Sequence, residues 1–214
     1  MREVSWFIIG VLLMVFVQPV AAQSGMEVLD KASATLDEAN GISAGFAMHI
    51  RAEGEGVSES FEGELQMKGD KFTLRIPDVQ VWFDGKTQWA YMLGNGEVNV
   101  TEPTGEELQG TNPAVLLRSY KKDYKAILKG ESTAANGKTA YDIELTPKKK
   151  GDITKINLQI EKKSYLPARI DIEMNNGANT RIQIHNINKG INQPDSYFVF
   201  NNKEFPDADI IDLR

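Results

Sequence analysis

Between Ile42 and Ile187 large apolar residues recur at every second position, run after run, and a period of two marks strands with one buried face. Ile42, Ala44, Phe46, Met48 and Ile50 form the first run. Past a turn at 53–56, Val57, Phe61, Leu65 and Met67 alternate with serine, glutamate, glutamine and lysine. Phe72, Leu74 and Ile76 repeat the pattern, then Val79, Val81 and Phe83, then Trp89, Tyr91 and Leu93 after Asp84-Gly85. Further runs cover 124–129, 140–146, 153–161, 168–174 and 180–187, and a last short one is expected at 197–200. Asn136-Gly137, Gly151-Asp152 and Asn175-Asn176-Gly177 separate several of them as hairpin turns.

Two stretches follow a helical period instead. Val28, Leu29, Ala32, Leu36 and Ala39 recur at spacings of three and four, which predicts a helix over 26–40, with Gly41 where a C-terminal cap belongs. Asn112-Pro113 can open a second helix over 113–122, carrying Val115, Leu116 and Leu117. The sum is a mainly β chain of about eleven antiparallel strands. A sheet that long curls and needs its apolar face covered, and two short helices are thin cover. It therefore closes around its own side chains or encloses a cavity under a helical lid. Periodicity does not separate the two.

The amino terminus changes the picture of where the chain works. Arg2 precedes twelve mostly large apolar residues, Trp6 to Val17, then Gln18-Pro19 and the small residues Val20-Ala21-Ala22. That is the layout of a secretory signal cleaved near Ala22, and twelve residues fall short of the roughly 20 a spanning helix needs. The expected organisation is a signal peptide at 1–22 and a single domain at 23–214. The sequence has no cysteine, so neither a disulfide framework nor a lipid-modified cysteine is expected, and burial must hold the fold. A net charge of −6 gives no electrostatic footprint for nucleic acid.

Candidate chemistry is sparse. Gly41-Ile42-Ser43-Ala44-Gly45 fits the Gly-x-Ser-x-Gly pattern of a hydrolase nucleophile, with His185 as the histidine a triad would have to use. That motif needs a strand turning into a helix, whereas here the helix comes first. Two histidines and no cysteine make no recognisable zinc site, and no metal or other cofactor is expected. Asp207, Asp209 and Asp212 lack the glycine and distal glutamate of a calcium loop and read as a solvated tail. Lys148-Lys149-Lys150 reads as a solvated hairpin tip, and Asn99-Val100-Thr101 is a formal glycosylation acceptor. No catalytic residue is assigned.

Gly63-Glu64-Leu65-Gln66-Met67-Lys68, the strand from Phe72, and Asp84-Gly85-Lys86-Thr87-Gln88-Trp89-Ala90-Tyr91 resemble the LolA-like family of periplasmic lipoprotein carriers. So do Asn192, Phe198-Val199-Phe200 and Pro206-Asp207-Ala208-Asp209-Ile210-Ile211-Asp212. The resemblance implies an incomplete, unclosed barrel of about eleven antiparallel strands with helices as a lid over an apolar cavity. Its implied role is to take acylated lipoproteins from an inner-membrane release complex, shield their acyl chains, and pass them to an outer-membrane acceptor. On that reading Phe46, Met48, Ile50, Phe61, Leu65, Met67, Phe72, Leu74, Val81, Phe83, Trp89 and Tyr91 line the cavity. Leu29, Leu36, Leu116 and Leu117 belong to the lid. Well-known members carry Arg-Pro after the residue matching Lys68, the arginine latching the lid, and Gly69-Asp70 stands there in this sequence. Two rival readings remain: a sensory or lipid-binding domain of the same fold regulating an envelope partner, and a secreted esterase using Ser43.

Overall fold

The computed structural model describes residues 24–52, 56–104 and 120–214. The expected signal at 1–22 and most of the second helix, with Leu116 and Leu117, lie outside them. The first helix, α1 (Gly25–Asp37), starts at a capping box in which Ser24 Oγ accepts from the Glu27 amide and Glu27 accepts from the Ser24 amide. It ends three residues short of the expected limit, where the backbone turns through Asn40 and Gly41, both at positive φ. Gly41 has no room for a side chain, since a Cβ there would lie 2.7 Å from the Ile191 carbonyl oxygen. The close approach lets the Gly190 amide donate to Ala39 O and Gly41 O, tying the helix end to the chain beyond the last long strand.

The strands are β1 (Ile42–Ala52), β2 (Val57–Lys68), β3 (Lys71–Ile76), β4 (Val79–Phe83), β5 (Gln88–Met92), β6 (Glu97–Thr101), β7 (Tyr124–Thr133), β8 (Thr139–Pro147), β9 (Ile153–Glu161), β10 (Pro167–Met174), β11 (Ala178–Lys189) and β12 (Asp209–Asp212). They form one unclosed sheet in the order β12-β6-β5-β4-β3-β2-β1-β11-β10-β9-β8-β7. Two meanders, β1–β6 and β7–β11, are joined where β1 pairs antiparallel with β11. The expected turns sit at hairpins. Asp84 Oδ1 accepts from the Lys86 and Thr87 amides at 2.8 Å each, and Gly85 and Gly177 take positive φ.

Three elements differ from the sequence expectation. Glu97–Thr101, unassigned there, is β6, with Val98 and Val100 buried. The expected strand at 197–200 is instead a 3-10 turn over Asp195–Phe198, opened by Pro194. The supposed solvated tail holds β12, which runs parallel to β6 with Ile210 beside Val98.

Register divides the sheet into two faces. On the face toward α1, hereafter the inner face, Ile42, Phe46, Met48 and Ile50 of β1 stand beside Met67, Gly63, Phe61 and Glu59 of β2. The row continues through Phe72 and Leu74 to Phe83 and Val81, and in the other direction through Ile182, Ile170, Leu158, Ile143 and Leu128. Val28, Leu29 and Ala32 of α1 pack onto this core beside Ile143, Leu158 and Ile160, while Leu36 reaches the second cluster of Met67, Phe72 and Phe83.

The outer face of β3–β6 is covered by the chain after β11. This C-terminal strap carries Phe198, Phe200 and Phe205 across the sheet before β12 closes the edge. Trp82 meets Phe200 and Phe205 edge-on at 5.3 and 5.5 Å, and Tyr91 lies 4.8 Å from Phe205. Lys68 donates to Gln193 O at 2.9 Å, Lys71 pairs with Asp195 at 2.5 Å, and Gln66 Nε2 donates to Tyr197 Oη at 2.7 Å.

Candidate ligand-binding face

On β1–β4 and β10 the inner face is graded in burial from one end to the other. On β1, Ile42 and Phe46 are buried, while Met48 and Ile50 are half-buried. The same order holds on β2 from Met67 to Leu65 and Phe61, and on β3 from a fully buried Phe72 to Leu74 and Ile76. On β4, Phe83 and Val81 are buried and Val79 is half-buried; on β10, Ile170 is buried and Ile172 half-buried. In these five strands the buried members lie toward the end where α1 runs into Gly41; on β11 the order is reversed, Ile182 buried and Ile184 half-buried, and on β8 and β9 Leu145 and Ile156 are buried at the opposite end too. The gradient follows from the cover, because α1 and its continuation through Ala39 seal the first end.

The helix is anchored where it nears the other meander. Asp30 accepts a hydrogen bond from the Tyr120 hydroxyl and pairs with Lys121 at 2.8 Å, fixing α1 to the helical turn that leads into β7. Those two bonds, from Lys121 first and Tyr120 second, hold the Asp30 carboxyl below its ordinary pKa. Burial and the adjoining Asp30 push the Tyr120 hydroxyl well above its own. Gly25 presses against β7 so closely that a Cβ would meet the Leu128 amide nitrogen at 2.9 Å.

Ten of the twelve sequence-predicted cavity residues share this face: Phe46, Met48, Ile50, Phe61, Leu65, Met67, Phe72, Leu74, Val81 and Phe83. Trp89 and Tyr91 do not. They pair with Trp82 and Gln80 and lie on the outer face, Tyr91 under the strap. Their inner-face neighbours are Gln88, Ala90 and Met92. Leu29 and Leu36 lie on α1 and pack against the inner face, Leu29 fully buried. Sequence reasoning missed Ile170, Ile172, Ile182 and Ile184, which continue the face across the seam and could have been found from the same alternation.

A groove of about 600 Å³ lies on the other side of the sheet, under Ser43, Glu62, Glu64, Gln66, Arg75 and His185. Ala44, Leu65, Ile76 and Pro77 also line it, so polar and apolar groups both face this groove. There His185 Nε2 bonds Glu62 Oε2 at 3.1 Å, while Ser43 Oγ accepts from Asn188 Nδ2 at 3.5 Å. Ser43 sits inside β1 with the helix before it, so the five-residue motif is a helix cap and strand start, without the strand-to-helix elbow a nucleophile requires. At Gly69-Asp70, Gly69 takes φ 58 in the turn between β2 and β3, and a Cβ there meets nothing within 4 Å. The flanking lysines hold the strap, on the face away from the lid.

Residues 13–178 match the family described as outer membrane lipoprotein carrier protein LolA. The chain belongs to the LolA family. An uncharacterized conserved protein from Thermus thermophilus has the same fold, with a TM-score of 0.61 at 13% identity over 87% of this chain and 98% of that one. A LolA superfamily protein from Nitrosomonas europaea also aligns, at 13% identity over 83% and 98% of the two chains with a TM-score of 0.46. LprF from Mycobacterium bovis aligns at 13% identity over 79% and 95%, with a TM-score of 0.47. No curated protein matches the sequence. The mainly β, unclosed sheet is thus the LolA-like fold, and none of the described helices is long and apolar enough to cross a membrane.

Proposed function

We propose that the inner face is an acyl-chain-binding groove and that the protein carries lipoproteins across the periplasm, shielding their acyl chains between the inner and outer membranes. The observation that carries this reading is the burial gradient. A core that served only to hold the fold would bury its large side chains along the whole strand. Here Met48, Ile50, Phe61 and Ile172 keep part of their surface exposed toward one end of the apolar face, as Leu65 and Leu74 do nearer the other, while Leu145 and Ile156 on β8 and β9 are buried as core. Each methylene withheld from water is worth about 0.8 kcal/mol, so an acyl chain laid against these residues gains affinity in proportion to its length. Methionine and phenylalanine side chains at the entrance adapt to chains of different shape, and a partly open groove releases its cargo without chemical work.

The two ends of the face have different tasks on this reading, and the difference tests it. Phe61→Asp, at the half-buried end, is expected to lower the affinity for a fluorescent fatty-acid probe about tenfold or more while the fold persists. Phe72→Ala, at the sealed end, is expected to cost about 3–5 kcal/mol of stability through the cavity it leaves. A folded Phe61→Asp protein that binds the probe as well as the wild type rules out the groove. Mass spectrometry of material co-purifying from the periplasm identifies the cargo, and acylated lipoproteins are the expected species.

A further inference from the structure

Two lysine runs far apart in the chain meet at one corner of the sheet. Lys121, Lys122 and Lys125 enter β7, and Lys148, Lys149 and Lys150 leave β8. Pairing of Tyr124 with Pro147 brings the runs side by side, the Lys148 amide donates to Asp123 O at 2.8 Å, and Lys148 Nζ donates to Lys121 O at 2.6 Å. All six lysines are exposed. The carboxylates nearby are Asp30, which holds Lys121, together with Asp123 and Asp152. Among the described residues no ion pair engages Lys122, Lys125, Lys149 or Lys150. In a chain of net charge −6, six of the 24 lysines and arginines thus share one corner.

We propose that this corner docks the protein on the surface of an anionic lipid bilayer. Screening limits each charge to about 10 Å at 0.1 M salt, so a membrane meeting the corner feels the lysines and not the acidic remainder. The chemistry of the cations favours a lipid surface over a single acidic protein site. Every cation in 121–125 and 148–150 is a lysine, a hydrated point charge on a flexible stem, and none is an arginine with its fixed fork for paired carboxylates. Position agrees with this. The corner lies at the end of the sheet where Ile153 opens β9 and where Ile172 and Ile50 are half-buried, so docking sets these half-buried residues on the side toward the bilayer. The inference stands on charge and placement, and it holds whether or not that face takes acyl chains.

Sedimentation of the purified protein with phosphatidylcholine vesicles, with and without phosphatidylglycerol, tests the proposal. Each lysine near an anionic surface strengthens binding roughly fivefold. Replacing the four unpaired ones (Lys122→Gln, Lys125→Gln, Lys149→Gln, Lys150→Gln) is therefore expected to weaken binding to the phosphatidylglycerol vesicles by about a hundredfold or more, and high salt to do the same to the wild type. Lys86→Gln with Lys203→Gln, elsewhere on the surface, is expected to leave binding unchanged. Fatty-acid probe affinity of the four-lysine variant should also stay as in the wild type, which separates docking from groove binding. Equal binding to both kinds of vesicle, or an unaltered four-lysine variant, overturns the proposal and leaves an acidic protein as the partner to seek.

Discussion

The ring of Phe46 lies over Gly63, its cross-strand partner, and occupies the space a side chain there would take. A Cβ on Gly63 would overlap Phe46 Cζ and come within 2.8 Å of the Arg75 carbonyl oxygen. The glycine is thus required by packing in the middle of β2, where it would otherwise weaken the strand. Gly63→Ala is expected to destabilise the protein by about 1–3 kcal/mol in urea unfolding. Adding Phe46→Leu should recover part of that loss, because the two positions share one space. An unchanged midpoint in the single variant would mean that the ring moves aside at no cost.

Glu161 gives the fold a pH dependence with a definite sign. Burial alone would raise its pKa, but bonds from Ser164, Lys138 and Asn136 outweigh burial and hold it below the ordinary value. A carboxylate with a depressed native pKa adds stability that is complete above the unfolded value of about 4.3 and disappears as pH falls through the native one. Glu161→Gln is therefore expected to cost about 1.5–3 kcal/mol at neutral pH. The gap between variant and wild type should narrow below about pH 4. A gap that stays constant down to the acid transition would show that the charge of Glu161 contributes nothing.

Gly69 shows why a family latch does not transfer by simple substitution. Its φ of 58 is left-handed, and the space beside it is open. Gly69→Arg is expected to lower stability by about 1–2 kcal/mol, whereas Gly69→Asn, which tolerates that conformation, should cost less. Thermal unfolding of both variants decides. An arginine that raised the midpoint would have found a partner across the gap, and a latch would then be available to this chain.

The strands β1 to β3 could be read because polar side chains alternate with apolar ones along each. Ile42 to Ile50 and Phe72 to Ile76 alternate plainly, and their register follows. Trp89 and Tyr91 misled for the opposite reason. The strap makes the outer face of β4–β6 apolar as well, so Trp82, Trp89, Val98 and Val100 are large where alternation expects polar residues. Period two then says only that two faces differ, not which one meets the helix. Phe198, Phe200 and Phe205 were the available signal, three rings in a short segment that needed an apolar surface to rest on. Pairing of β12 with β6 joins residues distant in sequence through backbone bonds alone, and side-chain patterns carry no trace of it.

The seam between β1 and β11 sets a timetable for the newborn chain. Ile42 pairs with Lys189, and Phe46 with Ile184, so one edge of the first meander has no neighbour until almost the whole chain is available. Contacts of such long sequence separation make folding slow. Until β11 arrives, β1 presents an unpaired edge beside an apolar surface, the form in which chains aggregate or are held by chaperones. A chain built this way cannot complete its sheet until β11 is made, and its last strands fasten the two meanders together.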